Sequence, residues 1–234
     1  MTETTRLAKR VATQFSCSRN EAEQYIAGGW VLVDGVVVVE EAGFRIAPEQ
    51  VLALSADATL VPLAPVTILL HKPAGMSTEQ AMASISVPSQ SPLDRSKIRI
   101  LKRHSQGLSA PCELEDDASG LLILTQNWQI ARKLSEDARK IEQEIIVEVS
   151  GKIAPDGLAR LNQTGPYLPS IKVSWQNETR LRFAVKGVQA GQIITLCQQV
   201  GLTVVAQKRI RIARIPMAAL AVGQWRYLMD YERL

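Results

Sequence analysis

The sequence predicts an α+β protein in two domains, a small one over residues 1–62 and a larger one over residues 66–234. Two short helical patterns followed by a hairpin signal predict the first domain. Prolines near 62–65 separate it from a longer part in which strand-like apolar runs outnumber helical ones. We therefore expect a small αββ-type domain followed by a domain built on a mixed or antiparallel sheet.

The first domain is predicted to hold two helices and a hairpin. Leu7 and Val11 share one face of the first helix. Ser16 or Ser18 can cap the second, and Ser18 with Glu21 has the pattern of a capping box. Apolar runs on both sides of Asp34-Gly35 indicate the hairpin. The expected elements are helices at 6–12 and 18–27 and strands at 30–33, 36–39 and 51–54.

The second domain is predicted to be rich in strands. Residues 76–93 are rich in Ser, Pro, Ala and Gln and are expected to form a loop. Asn127 has the right type to cap an amphipathic helix that ends near Lys140. The expected strands are at 66–70, 121–124, 145–149, 172–175, 181–185 and 208–214.

Four carboxylates lie just before the apolar run 121–124, which is expected to be buried on both faces. They are Glu113, Glu115, Asp116 and Asp117. One interpretation is an acidic surface turn that leads into the core, and another is a set of carboxylates in a cleft. A divalent-metal site is the least favoured interpretation, because the spacing does not fit an EF-hand loop. We expect no bound metal.

Composition limits the class of protein. Residues 1–63 hold 5 Lys/Arg and 8 Asp/Glu, whereas residues 64–234 hold 22 and 15, so a polyanion partner fits the second part. The sequence has no apolar run long enough for a membrane span and no signal-peptide core at its start. Cys17, Cys112 and Cys197 are distant and odd in number, which is typical of reduced thiols in a cytoplasmic protein.

The run 112–125 is similar to the signature of the RsuA-type family of RNA pseudouridine synthases, G-R-L-D-x-x-T-S-G-L-L-L-L-T. The apolar half, 119–125, matches it closely. In the other half Glu115 takes the position of the catalytic Asp, and Glu113 that of an Arg. The resemblance implies a pseudouridine-synthase-like domain at 66–234, with Glu115 as the candidate catalytic residue.

Other segments carry the same resemblance. His71-Lys72-Pro73-Ala74-Gly75 is similar to the family's N-K-P-x-G, and 200–226 to its V-G-L, K-R-V-R-I-G and G-x-W-R motifs. His71 replaces Asn and is expected to be structural. The family's catalytic Tyr corresponds to Ile145, and its basic helix to the run 191–196, Gly-Gln-Ile-Ile-Thr-Leu.

The first domain carries a set of residues in a recognisable order: Arg6-Leu7, Ser18-Arg19-x-Glu21-Ala22, Ile26, Gly29, Val31, Val33 and Asp34-Gly35-Val36. Over residues 5–60 this order resembles the small RNA-binding domain of ribosomal protein S-four. In that domain helices present basic residues to RNA, which makes Arg6, Lys9, Arg10 and Arg19 candidates for RNA contact. The second domain adds Lys72, Arg209 and Arg211 as candidates. Alternation along the strand places Arg209 and Arg211 on one face and the two neighbouring isoleucines on the other. The alternative for each charged residue is a solvated surface.

Residues 94–103 contain five basic side chains, Arg95, Lys97, Arg99, Lys102 and Arg103. Such a cluster is typical of a phosphate-binding track, although a solvated loop is an equal alternative. No aromatic residue is interleaved, so the segment alone does not predict base stacking.

The resemblance and its departures predict a protein that binds structured RNA, ribosomal RNA by the resemblance, with lost or altered catalysis. Glu115 is one methylene longer than Asp, and a misplacement of about one ångström costs roughly a hundredfold in rate. The alternative is an active uridine-to-pseudouridine isomerase that uses Glu115. The family's reaction needs no cofactor. We expect a monomer in the cytoplasm without membrane contact.

Overall fold

The computed structural model describes residues 4–38, 44–60, 63–163 and 170–234. The chain forms two compact units, one from its start to Pro65 together with 99–107, and one from the remaining residues. The segment 99–107 therefore packs with the first unit, although it lies by sequence in the domain predicted at 66–234. Within the described ranges, no helix has the length and apolar character needed to cross a membrane.

The first unit packs two helices against short strands. In chain order its elements are β1 (Thr5–Arg6), α1 (Leu7–Gln14), α2 (Arg19–Ala27), β2 (Val31–Val33), β3 (Val36–Val37), β4 (Arg45–Ile46) and β5 (Leu52–Leu54). One sheet has the order β3-β2-β5, and β1 pairs with β4. Leu7, Val11 and Val31 are fully buried in its core.

The sequence located most of these elements. The capping box is present, because Ser18 Oγ accepts the Glu21 N–H at 3.2 Å and Glu21 Oε2 accepts the Ser18 N–H at 2.7 Å. The hairpin turns at Asp34-Gly35, both at positive φ. The first helix begins at Leu7 rather than Arg6, which lies in β1. Val39 of the predicted strand and Pro62 of the predicted linker lie outside the described residues.

The second unit is built on one large sheet. Its elements are β6 (Thr67–Lys72), α3 (Thr78–Ala83), β7 (Ser119–Thr125), α4 (Trp128–Glu136), β8 (Glu142–Gly151), α5 (Gly157–Leu161), β9 (Ser170–Asn177), β10 (Arg180–Lys186), α6 (Gln192–Gln199), β11 (Leu202–Ile212), β12 (Ile215–Pro216) and β13 (Trp225–Tyr227). The strand order is β13-β6-β7-β11-β8-β10-β9, with β12 paired to β11. All of these pairs are antiparallel except β7 with β11, so the sheet is mixed as predicted.

The central strand β7 is buried along its length, as its continuous apolar run predicted. Gly120 lets it approach β11 closely. Its φ is +113°, and a Cβ built there would lie 2.2 Å from the Arg209 carbonyl oxygen. No other residue fits this position, because the added carbon would collide with main chain. Gly120 of the motif is therefore needed for the close pairing of β7 with β11.

Three predictions for this unit are wrong in part. The segment 76–93 contains α3, because Ser77 and Gln80 form a capping box that its Ser- and Ala-rich composition concealed. The helix α4 ends at Glu136, short of the predicted Lys140. Strand β11 extends from Leu202 rather than from residue 208.

Arg209 and Arg211 do not share a strand face. The pairing of β11 with β8 shifts register between them, which is the signature of a β-bulge. Arg209 contacts Gln143, whereas Arg211 contacts Glu142 and Glu144 on the opposite face of β8. One extra residue in the bulge cancels the alternation from which a shared face was predicted.

Candidate functional site

The turn that carries Glu115 forms one wall of a cavity of about 460 Å³ in the second unit. The other walls come from β8, Gln207 and Arg209 of β11, and the segment 187–193, which includes the start of α6. We call this space the Glu115 cavity. It is a concave space of the size that small ligands or a single nucleotide occupy.

Glu115 binds the start of helix α6. Its Oε1 accepts the Gly191 N–H at 2.5 Å, and Gly191, at a φ of +72°, directly precedes the helix. Helix N-termini carry unpaired N–H groups and partial positive charge, so they stabilise a carboxylate there. The half-buried Glu115 thus has a hydrogen-bonded partner in the main chain rather than in a cationic side chain.

Lys72 holds the turn from one side. Its side chain is fully buried, and Nζ donates to the carbonyl oxygens of Pro73, Asp116 and Ala118 at 2.9–3.1 Å. The ammonium has three N–H donors, and all are used. Burial lowers the pKa of Lys72, and the nearby charges of Asp116 and Asp117 oppose that change. A surface contact with RNA, as predicted from sequence, does not fit this enclosed position.

Arg209 holds the same loop from the other side. It is 3% exposed, and its guanidinium donates to the carbonyl oxygens of Cys112, Glu113 and Leu121 at 2.7–3.1 Å. It also donates to Gln143 Oε1 at 3.1 Å. The two buried cations, Lys72 and Arg209, thus bind the main chain of the loop and position Glu115. Among the described residues neither forms an ion pair with a carboxylate.

Ile145 lies in the cavity wall at the position that the family resemblance gives to Tyr. It is 7% exposed and belongs to the core of the unit. Within the described part of the chain no aromatic side chain lines the cavity. A base placed there would therefore meet aliphatic and amide groups without a stacking partner.

The described residues contain no group of three or more His, Cys, Asp and Glu arranged to hold a metal ion. Glu113, Asp116 and Asp117 are exposed, and Glu113 and Asp116 line the same cavity as Glu115. The three cysteines are free. Cys112 faces the cavity, where its Sγ lies 3.4 Å from Gln143 Nε2 and 3.5 Å from Arg209 Nη1.

The four candidates for RNA contact in the first unit differ in their exposure and their partners. Arg6, Lys9 and Arg19 are exposed, and Arg19 pairs with Glu23 at 3.2 Å. Arg10 instead donates to the carbonyl oxygens of the turn 47–50, at 2.5–2.8 Å. Its guanidinium holds that turn, so Arg10 is a structural anchor in this conformation.

An aromatic partner for the basic segment was missed from sequence. The Arg99 guanidinium lies 4.6 Å from the centre of the Trp30 ring and donates to the Gly29 carbonyl at 2.6 Å. Both residues belong to the first unit. Their separation along the chain removes any local signal of this cation–π contact.

Arg211 lies in a charged network on the other face of the sheet. Its guanidinium contacts Glu142 at 2.5 Å and Glu144 at 2.9 Å, and Arg182 contacts Glu144 at 2.5 Å. The hydrogen bond from Arg211 lowers the pKa of Glu144 despite partial burial. Because its charge is paired, Arg211 is a weaker RNA candidate than a free arginine would be.

Comparison with known proteins gives one consistent result. The dual-specificity RNA pseudouridine synthase RluF of Salmonella typhi is 27% identical over 97% of this chain and 77% of that protein. RluF of Escherichia coli K12 is 26% identical over 97% and 76%, and an uncharacterized RNA pseudouridine synthase of Aquifex aeolicus is 25% identical over 97% and 94%. No family model matches the chain.

The solved structures agree at the level of fold. A crystal structure of a pseudouridylate synthase superposes with a TM-score of 0.57 at 18% identity, over 96% of each chain. The α+β fold with its large mixed sheet is thus that of a pseudouridine synthase.

Proposed function

We propose that this chain, which belongs to the RsuA-type family of RNA pseudouridine synthases, binds structured RNA and has lost or altered the family's catalysis. Ribosomal RNA is the proposed partner, and a monomer in the cytoplasm the proposed state. The site rather than the fold decides the function, since one fold hosts many unrelated functions.

One observation carries the proposal. The carboxylate of Glu115 meets a main-chain N–H and neither a cationic nor an aromatic side chain among the described residues. Isomerisation of uridine needs an ionised carboxylate placed at the sugar and a pocket that holds the extruded base. Moving the base out of the RNA stack costs a few kcal/mol. Stacking in the pocket and hydrogen bonds to the edge of the base normally offset this cost. Ile145 supplies apolar contact, but it has neither a ring on which the base could stack nor a proton to transfer.

The second candidate, an active synthase that uses Glu115, also has a supporting observation. Glu115 lies in a real cavity, and its Oε2 has no hydrogen-bond partner among the described residues. Arg209 lies in the wall of the same cavity. A rearrangement that moved its guanidinium from the loop carbonyls to the carboxylate would restore a charged pair.

Binding of unmodified ribosomal RNA transcripts to the purified protein tests the first part of the proposal. We expect saturable binding that weakens with salt, and stronger binding to structured transcripts than to polyuridylate of equal length. The bound transcripts are then digested to nucleosides, and pseudouridine is separated from uridine by liquid chromatography, because the two isomers have the same mass. Absence of RNA binding contradicts the proposal, and pseudouridine in the bound transcripts favours the second candidate.

A further inference from the structure

A second concave surface lies in the same unit and shares no lining residue with the Glu115 cavity. It has a volume of about 610 Å³ and is lined by three segments of chain, residues 91–95, 214–220 and 226–233. We call it the C-terminal groove. Its lining includes Arg226 of the segment similar to G-x-W-R, whereas Glu115, Lys72 and Arg209 lie outside it.

The carboxylate in the wall of the groove is already paired. Glu232 accepts two hydrogen bonds from the Arg226 guanidinium, both at 2.7 Å, and a third from the Met229 N–H at 2.9 Å. Both side chains of this pair are largely buried, with 10% of each exposed. Asp94, beside the groove, accepts the main-chain N–H groups of Tyr227 and Ser96. The two acids are therefore satisfied inside the protein.

Three other guanidinium groups in the groove wall are exposed and have no acidic partner among the described residues. They belong to Arg95, Arg214 and Arg233. Arg233 hydrogen-bonds only to main-chain carbonyl groups of its own segment. Because Glu232 is neutralised by Arg226, the groove presents a net positive charge that complements a polyanion.

Tyr231 adds an aromatic surface. Its side chain is 80% exposed although it lines the groove, and it has no hydrogen-bond partner in the described structure. Large exposed aromatic side chains beside free cations are typical of sites that bind single-stranded nucleic acid. There the base stacks on the ring and the cations follow the phosphates.

We propose that the C-terminal groove binds an unpaired segment of RNA, with a base on Tyr231 and phosphates on Arg95, Arg214 and Arg233. The inference rests on the proposed function, because it adds a contact for the same RNA outside the Glu115 cavity. It also assigns Arg95, one of the five basic residues of 94–103, to phosphate binding. The groove has ample volume for one nucleotide.

Fluorescence anisotropy with a labelled ribosomal RNA hairpin that carries a ten-nucleotide single-stranded tail tests the groove. We expect Arg214→Glu/Arg233→Glu to weaken binding of the tailed hairpin at least tenfold and to lower the salt slope by about 1–2, since each phosphate contact in a single strand contributes roughly 0.7. The blunt hairpin should lose much less affinity. Lys152→Glu/Lys172→Glu, at two exposed lysines outside the groove, carries the same change of charge and should bind both RNAs like the wild type.

Tyr231 gives an independent test of stacking. Tyr231→Ala should weaken binding of the tailed hairpin by about fivefold to a hundredfold, and Tyr231→Phe should restore it, because the ring rather than the hydroxyl holds the base.

The outcomes separate the two proposals. If the wild type binds neither RNA, the proposed function fails. If it binds both and the arginine and Tyr231→Ala variants match the control, the groove proposal alone is overturned. Tighter binding of a polyglutamate peptide than of the tailed hairpin, lost in the arginine variant, would also overturn it and assign the groove to an acidic protein partner.

Discussion

The carboxylate of Glu115 lies 2.5 Å from the main-chain nitrogen of Gly191, at the start of α6. This contact joins the acidic turn to the helix that, by the resemblance, takes the position of the family's basic helix. The helix sequence, Gln-Ile-Ile-Thr-Leu-Cys-Gln-Gln, carries no charge, and the N–H of Gly191 just before it is the hydrogen-bond partner of the carboxylate. This main-chain N–H holds the carboxylate in place, and no cationic side chain of the described residues pairs with it.

The exposed cations of the first unit are expected to contact RNA. Lys9→Glu/Arg19→Glu should weaken binding of structured ribosomal RNA about tenfold or more and lower the salt slope by roughly 2–4, because two phosphate contacts become repulsive. Arg132→Glu/Lys152→Glu, at exposed positions of the second unit, is the matched control. Equal affinities and slopes for the two double variants would remove this face from the account.

Lys72 is expected to be structural. Lys72→Met keeps the length of the side chain but leaves the carbonyl oxygens of Pro73, Asp116 and Ala118 without their donor. We predict a loss of about 2–4 kcal/mol in the free energy of unfolding, measured by urea denaturation. Lys152→Met, at an exposed position, should change it by less than about 0.5 kcal/mol. A variant at Lys72 as stable as the control would show that the turn does not depend on this ammonium.

Both histidines are expected to make the fold sensitive to mild acid. Burial lowers the pKa of His104 to about 4 and lowers that of His71, whose buried Nε2 has no hydrogen-bond partner among the described residues. The unfolded chain binds these protons near pH 6.5, so stability is present above that pH and is lost as pH falls toward 4. Wild-type protein should lose about 1–3 kcal/mol of unfolding free energy between pH 7 and pH 5.

The histidine-free variant His71→Asn/His104→Asn provides the comparison, since the chain has 2 histidines. Its stability should change less than half as much between pH 7 and pH 5. Carboxylates with a lowered pKa, such as Glu144 and Glu232, change the stability at lower pH. The change between pH 7 and pH 5 is therefore expected to come from the histidines. An equal loss in both proteins would assign the acid sensitivity to other groups.

The acidic turn is expected to bind no divalent cation with useful affinity. Among the described residues no three acidic, His or Cys side chains are arranged to hold a metal ion, and Lys72 and Arg209 place positive charge behind the turn. Titration calorimetry with Mg²⁺ and with Ca²⁺ should show no saturable heat at micromolar concentrations. Micromolar binding that Glu115→Ala abolishes would establish a metal site at this turn.

Local patterns predicted the fold well where one stretch of chain decides the structure. The Ser18 capping box, the Asp34-Gly35 hairpin and the buried strand β7 follow from residue type and spacing. The failures have physical causes too. A single bulge reversed the face of Arg211 relative to Arg209, and no propensity scale reports a bulge.

The candidate site was less predictable because its contacts are long-range. The motif located Glu115 and Ile145 at the cavity, but not the partner of Glu115, which lies 76 residues away. Basic residue type alone suggested RNA contacts for Lys72 and Arg209. Only their burial and their carbonyl partners, distant along the chain, identify them as supports of the turn.

Tritium release from ribosomal RNA transcripts labelled at uridine C5 tests the central claim most directly, because formation of pseudouridine frees that hydrogen. We expect no tritium release above background for the wild type and little gain for Glu115→Asp alone. When several groups act together, restoring one of them recovers little activity. Measurable release should need Glu113→Arg, Glu115→Asp and Ile145→Tyr in one chain. Robust release by the unmodified protein, abolished by Glu115→Gln with RNA binding intact, would contradict the account and make Glu115 the catalytic carboxylate.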